Sequence, residues 1–450
     1  MSEIGAYPIM VIIGIVFFFF IGEKGTILEK DSITYLEYTE LGLRGAAPAY
    51  PFFLGIFRQL WGTELFVDKL YLVQGVFALF VSVLFTKYLS ERFELFFVYR
   101  IIVFLCSLLP YTYTLKEYVA THAVLTESFA FPIFYLYFIS ICEIQKGITV
   151  KRVSSAVLVA VLLVLTRKQL VICLVVLIYL IVYGLISEHG KNVVIKQNKF
   201  IVVFSSLFCF SFLTLIILLS LKPTSQLGNA LLGKSLMVIE GNDEVHFDNE
   251  SDKEIFKSLY MKIESEGTRL EDTRSDFLKW DDIVRFNETN LRIAYEVIPT
   301  SIKVQGQTSA VNDRMYDYMG MINRLALRYH FMDLFEEFLW MIPSGLLSMV
   351  FIQKRDIYPL CLLYGVIFYI VFILLFSYLK KNKAGYNKTL CFSSLSLLIS
   401  ISNLVFTNMS LYCIQRYMVY SMGILYISMI LMIKDYIKQV GKHSIMSTAK

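Results

Sequence analysis

The sequence predicts an all-α polytopic membrane protein, and three observations carry that reading. Of the 450 residues 56% are apolar and only 18% charged, and the mean hydropathy is +0.61. Apolar runs near the length that crosses a bilayer, about 20 residues, recur along the whole chain. The short connections between alternate runs carry the Lys and Arg, as loops on the cytoplasmic side do.

Tyr7 to Ile21 is uncharged, has no small-residue cleavage site behind it and carries Glu3 in front, so it reads as a retained first span rather than a signal peptide. Further spans are expected near 66–86, 95–115, 120–142, 153–166, 169–187 and 200–221. The run from 153 to 187 is too long for one crossing, and Thr166-Arg167-Lys168-Gln169 marks its outward turn. The basic connections Lys87 to Glu94, Glu143 to Arg152, Glu188 to Lys199, Tyr378 to Lys388 and the tail from Lys434 place the N-terminus inside and Asp31 outside.

Phe338 to Ile352 holds Pro343 and Gly345; were it to cross, Lys380, Lys381, Lys383 and Lys388 would fall outside. It is therefore expected at the outer interface or as a re-entrant turn. Spans at 357–379, 389–407 and 414–433 then bring the total to about ten, within a range of 10–13. Three parts result: a membrane module at 1–221 with a first extracytoplasmic loop at 23–65, a loop domain with an interfacial helix at 222–356, and C-terminal membrane helices with a cytoplasmic tail at 357–450.

Residues 222 to 335 hold 14 Lys and Arg against 19 Asp and Glu, whereas the remainder holds 28 against 18. The positive excess thus belongs to loops flanking the membrane, and the polar region reads as a small helical extracytoplasmic domain, with helix-leaning stretches at Asp252 to Glu266, Thr289 to Ile298 and Asn312 to Phe338. No basic run interleaved with aromatics points to nucleic acid. Cysteines 106, 142, 173, 209, 361, 391 and 413 lie in apolar runs with no CxxC spacing, which argues against a disulfide framework or thiolate metal site. The acids Asp243, Glu244, Asp248, Glu250 and Asp252 lack calcium-loop spacing and read as a charged face, with His246 and His330 as solvated loop residues. Asn249-Glu-Ser and Asn287-Glu-Thr match the N-glycosylation pattern.

The stretch between the first two spans is the most informative. Asp31 stands where the chain first meets water; Ile33, Leu36, Leu41 and Leu43 then recur in a helical rhythm among Glu37, Tyr38 and Glu40, as in a helix lying on the membrane surface. A turn at Pro48-Ala49-Tyr50-Pro51 leads to a second such segment, Phe52 to Trp61. Asp31 with Tyr35, followed by Pro48, Tyr50 and Pro51, resembles the first extracytoplasmic loop of the GT-C superfamily of integral-membrane glycosyltransferases, which includes protein O-mannosyltransferases and the aminoarabinose transferases of lipid A. Ala47 stands where that family often carries His.

The resemblance implies that Asp31 is the catalytic carboxylate and that Glu127, in Thr126-Glu127-Ser128, assists it or binds substrate. On one continuous helix Glu127 would lie five residues, roughly 7.5 Å, below His122. Thr166-Arg167-Lys168 and Arg416-Tyr417 match partially the family's Thr-Arg-Pro and Arg-Tyr, with Gln169 in place of proline. Arg167, Lys168 and Arg416 are accordingly expected to bind the donor phosphate, for which the planar fork of Arg is suited, with Tyr35, Arg44, Tyr50 and Tyr417 as substrate contacts. His122, together with Glu127, is the candidate ligand for a divalent metal; a hydrogen-bonded interface histidine is the alternative. A solvated loop carboxylate is the alternative for Asp31, an ion pair between helices for Glu127, and snorkelling to headgroups for Lys168 and Arg416.

The expectation is a transferase at the extracytoplasmic face of a bacterial plasma membrane. It would move a sugar from a polyprenyl-phosphate carrier to a glycan, lipid or protein acceptor with inversion, and its other partners would be membrane lipids. The rivals are a lipid-linked-sugar flippase, which would show inverted repeats, and a non-catalytic partner in polysaccharide assembly.

Overall fold

The computed structural model describes residues 5–21, 25–36, 47–114, 118–188, 195–220, 226–273, 280–304, 311–352, 358–382, 387–410 and 415–448. Among these residues the chain is helical, and its only β-type pairing is one isolated parallel bridge between Ile27 and Ala123.

Helix α1 (Ala6–Phe20) is wholly apolar apart from its Tyr and Pro, and stops where Ile21 turns extended. Helix α2 (Lys30–Leu36) carries Asp31 in its first turn. Helix α3 (Ala49–Phe93) is two helices joined at Gly62, whose φ of 78° only glycine adopts without strain. Its first piece exposes Phe52, Ile56 and Leu60, one apolar stripe at four-residue spacing.

Helices α4 (Phe97–Leu108), α5 (Glu127–Ile144), α6 (Val150–Thr166), α7 (Ile172–Glu188) and α8 (Ile195–Ser220) follow. The expected fourth span begins later than 120: Ala120–His122 forms a single 3-10 turn, and Ala123 after it is extended. The reason is local, since Ile27 N–H donates to His122 O (2.8 Å) and Val124 N–H to Ile27 O (3.0 Å), which takes these residues out of a helical ladder. His122 and Glu127 are therefore not on one helix, and the spacing derived from helical rise does not apply.

The polar region forms α9 (Gln226–Val238), α10 (Glu250–Glu266), α11 (Leu270–Thr273), α12 (Trp280–Val304), α13 (Val311–Tyr329) and α14 (Phe331–Ser348). Helix α14 runs through Pro343 and exposes Phe331, Met332, Phe335 and Leu339 together. Three readings of this region are corrected. Asp243 and Asp252 are buried, the first beside His330 (2.8 Å) and the second beside Arg314 (2.5 Å), rather than on a charged face. His330 is likewise buried, because it sits at the joint between α13 and α14. The Asn287 side chain of the second sequon lies in the interior against Gly233 rather than at the surface where a sequon is expected.

Helices α15 (Tyr358–Asn382), α16 (Lys388–Ser410), α17 (Gln415–Met418) and α18 (Tyr420–Thr448) complete the chain. Among the described residues five segments are long and apolar enough to cross a membrane: Leu65–Phe93, Glu127–Ile144, Pro359–Asn382, Lys388–Met409 and Tyr420–Val440. Helix α15 leaves Leu360, Leu363, Ile367, Ile370, Ile373 and Leu374 uncovered, an apolar surface that lipid accommodates and water does not. Among the described residues two large apolar cores result, besides a small cluster of Tyr118, Ala123 and Leu125. One is built from α1 and α3 to α8, the other from α9 to α15, and both α16 and α18 contribute to each: Phe392, Leu395, Ile424 and Ile427 to the first, Leu404, Leu425, Met429 and Met432 to the second.

Candidate active site

Two stitches bring the first loop to the start of α5. Besides the Ile27 bridge, Ser32 Oγ donates to Val124 O (3.0 Å) and accepts from Glu29 N–H (2.8 Å), and the Tyr118 hydroxyl donates to the Glu29 carboxylate. Gln74, buried in α3, holds the other strand by donating to Thr121 O (2.7 Å) and Ala123 O (3.2 Å). Asp31 and Glu127 are thereby fixed near one another although 96 positions separate them in sequence.

Glu127 opens α5 and is fully buried. Its Oε1 lies 2.6 Å from Arg167 Nη1 and also accepts from Arg416 Nε, while Thr126 Oγ1 donates to Oε2 (3.0 Å). Arg416 reaches on with Nη1 to Asp31 Oδ2 at 2.9 Å. The side chains form a graded series from the interior to water: Glu127 is 0% exposed, Arg167 9%, Arg416 25% and Asp31 53%. Acid and base alternate along the contacts Arg167–Glu127–Arg416–Asp31, so each buried charge has an opposite neighbour. Burial opposes the charge on Arg416, and the Glu127 carboxylate outweighs it, so the guanidinium is held above its usual range.

The clamp on Arg416 comes from Gln169, which accepts from Arg167 Nε (3.1 Å) and donates to Tyr417 O (3.1 Å) and Thr407 Oγ1 (3.1 Å). Asn403 also donates to Tyr417 O (3.0 Å). The Tyr417 ring takes the Arg167 cation on its face at 5.0 Å. One residue on, Asn408 donates to Phe338 O (2.6 Å), and Lys234 donates to Asn408 O (2.8 Å) and to Glu337 (2.6 Å), so α9 and α14 are fastened at this same end of α16.

The other expected residues fall around this series. Tyr35 lies edge-on to Tyr50 at 5.5 Å, and burial, then Glu127, pushes its phenol up, so it is a neutral donor. Tyr50 is fully buried with its hydroxyl donating to Gln74 (2.7 Å), and supports the site from behind. Lys168 follows Arg167, half-buried, and Arg44 lies outside the described residues. His122 Nε2 is 2.7 Å from Phe18 O at the end of α1, and its ring packs edge-on against Tyr71. His122 Nε2 is thus turned to a backbone carbonyl and both acids are paired to arginine, and among the described residues no three His, Cys, Asp or Glu side chains gather. The residues that the sequence reading missed are Gln74, Gln169, Asn403, Thr407 and the Lys234–Glu337 pair. Buried amides and charges inside apolar helices were the available signal.

Comparison with protein-family models, with curated proteins and with solved structures gave no match.

Proposed function

We propose that the protein is an inverting membrane glycosyltransferase that takes a sugar from a polyprenyl-phosphate carrier. The observation that carries this reading is the contact series Asp31–Arg416–Glu127–Arg167 at one end of the helical bundle. Such transfer needs a carboxylate for the acceptor proton and cations for the leaving phosphate, next to an apolar surface for the lipid. Here the outermost member is the acid and the next is an arginine that water can reach.

In the resting arrangement Asp31 is paired with Arg416 and is a weak base. A donor phosphate competes for the exposed side of Arg416, and Asp31 is then free to accept the proton of the acceptor hydroxyl. The hydroxyl oxygen bonds to the anomeric carbon from the face opposite the phosphate, the carbon–oxygen bond to phosphate breaks, and polyprenyl phosphate departs as an anion held by Arg416 and Arg167. Glu127 keeps both arginines charged and in place. No step runs through a metal.

The same reading sets ten spans, α1, α3 to α8, α15, α16 and α18, with the reaction on the extracytoplasmic side. Its support is that alternate helix ends converge: Glu127, Arg167 and Arg416 meet Asp31 at one end, while Gln145 contacts Cys391 O (3.5 Å) and Lys434 contacts Phe93 O at the other. Purified protein assayed with a radiolabelled polyprenyl-phosphate sugar tests the reading. Transfer is expected to fall by roughly 10² to 10⁴-fold in Asp31→Asn. Equal transfer by that variant removes Asp31 from the chemistry, and no transfer with any donor removes the activity.

A further inference from the structure

The opposite end of the bundle carries a second polar site that the reaction does not use. A cavity of about 620 Å³ opens there, lined by Tyr88, Glu91, Arg92, Gln145, Lys146 and Lys388, a volume in the range of ligand pockets. Its residues come from the ends of α3 and α5 and the start of α16, so it sits where three of the five long apolar segments reach the membrane boundary.

Its floor is pre-organised. Arg92 is 7% exposed, and its guanidinium is oriented by Cys142 O (2.7 Å), the Tyr88 hydroxyl (2.9 Å) and Gln145 Oε1 (3.2 Å). Lys146 is held over the Tyr88 ring at 5.4 Å and contacts Glu143 (2.5 Å). Lys388 stands exposed on the far wall. The lining acid, Glu91, is drawn outward to Lys87 at 4.0 Å. The Tyr88 hydroxyl is spent inside the wall, donating to Glu143 (2.6 Å), which leaves a buried arginine between two lysines, with an amide beside it, to recognise a phosphate group.

We propose that this pocket binds the phosphate of an anionic membrane lipid. A zwitterionic headgroup would bring its own cation among these three, whereas an anionic one would not. The lipid is the favoured source of the phosphate because the pocket opens at the bilayer edge, where anionic headgroups are concentrated.

The test uses the full-length protein, delipidated in an uncharged detergent and titrated by native mass spectrometry. Phosphatidylglycerol is expected to bind saturably and phosphatidylcholine is not. Removing one lysine, in Lys388→Gln, weakens binding roughly 5-fold, and Lys146→Gln with Lys388→Gln about 30-fold. Lys381→Gln, an exposed lysine at the end of α15, leaves it unchanged. Millimolar inorganic phosphate separates the sources: displacement of the lipid marks phosphate recognition shared with soluble anions, and persistence marks the headgroup, each in support of the pocket. Equal retention of phosphatidylcholine, or unaltered lipid binding in both lysine variants, overturns the proposal. None of these readouts depends on sugar transfer.

Discussion

Glu127→Gln separates the two acids of the site by their cost in stability. The substitution keeps the size of a fully buried side chain and removes its charge, leaving Arg167, 9% exposed, without the carboxylate 2.6 Å away. Breaking one side of a buried ion pair costs about 3–5 kcal/mol. Arg416 retains Asp31 at 2.9 Å, so most of the loss falls on Arg167 and the expected value is near the lower end, about 3 kcal/mol. Replacing both members, in Glu127→Gln with Arg167→Met, removes the stranded cation too and restores about 2 kcal/mol of that loss. Asp31→Asn acts on a side chain 53% exposed and costs at most about 1 kcal/mol. Reversible unfolding in mixed detergent micelles measures all three. A Glu127→Gln protein within about 0.5 kcal/mol of wild type, or a double variant no more stable than the single, would refute the buried series.

Further outcomes follow from other contacts. Cysteines placed at Leu28 and Asn382, both exposed, should label with impermeant maleimide from opposite faces of the membrane; labelling from one face would break the ten-span arrangement. Burial, against the attraction of Lys234, raises the Glu337 carboxyl above its usual 4.5. The stability this confers is complete below pH 4.5 and is lost as pH rises through the raised value. The melting temperature of wild type relative to Glu337→Gln should therefore fall as pH increases from about 4.5, and a constant difference would contradict it. In Gly423→Ala the new methyl would meet the Tyr135 hydroxyl and lie 3.0 Å from Cys106 O. Since that hydroxyl is fixed to Ser107 O (2.8 Å), the cost should be about 1–3 kcal/mol, read by the same unfolding assay; a neutral variant would show that α18 can shift.

The residues that compose the charged series were legible because charge is rare inside apolar sequence: Asp31, Glu127, Arg167 and Arg416 each interrupt or border such a run. What holds them was not. Gln169 was visible as a departure from a family pattern, yet its role depends on Asn403 and Thr407, more than two hundred positions away. Periodicity extended α5 back to residue 120 because Ala120 to Leu125 are mostly apolar; backbone pairing with Ile27, a contact without a sequence signature, ended the helix at Glu127. Polarity failed in the α9 to α14 region for a related reason. Asp243 and His330 look like surface residues one at a time and are buried because the helices around them close over the pair they form, while Asn287 is buried by the close approach of Gly233.

Because α16 and α18 face both apolar cores, the chain does not divide cleanly between them. A chimera that exchanges α9 to α14 with another protein must match the face of α16 that packs on α9 and α14. A mismatch there displaces α16, whose end precedes the four-residue α17 that carries Arg416, so grafting foreign helices at α9 to α14 would disturb the charged series from a distance.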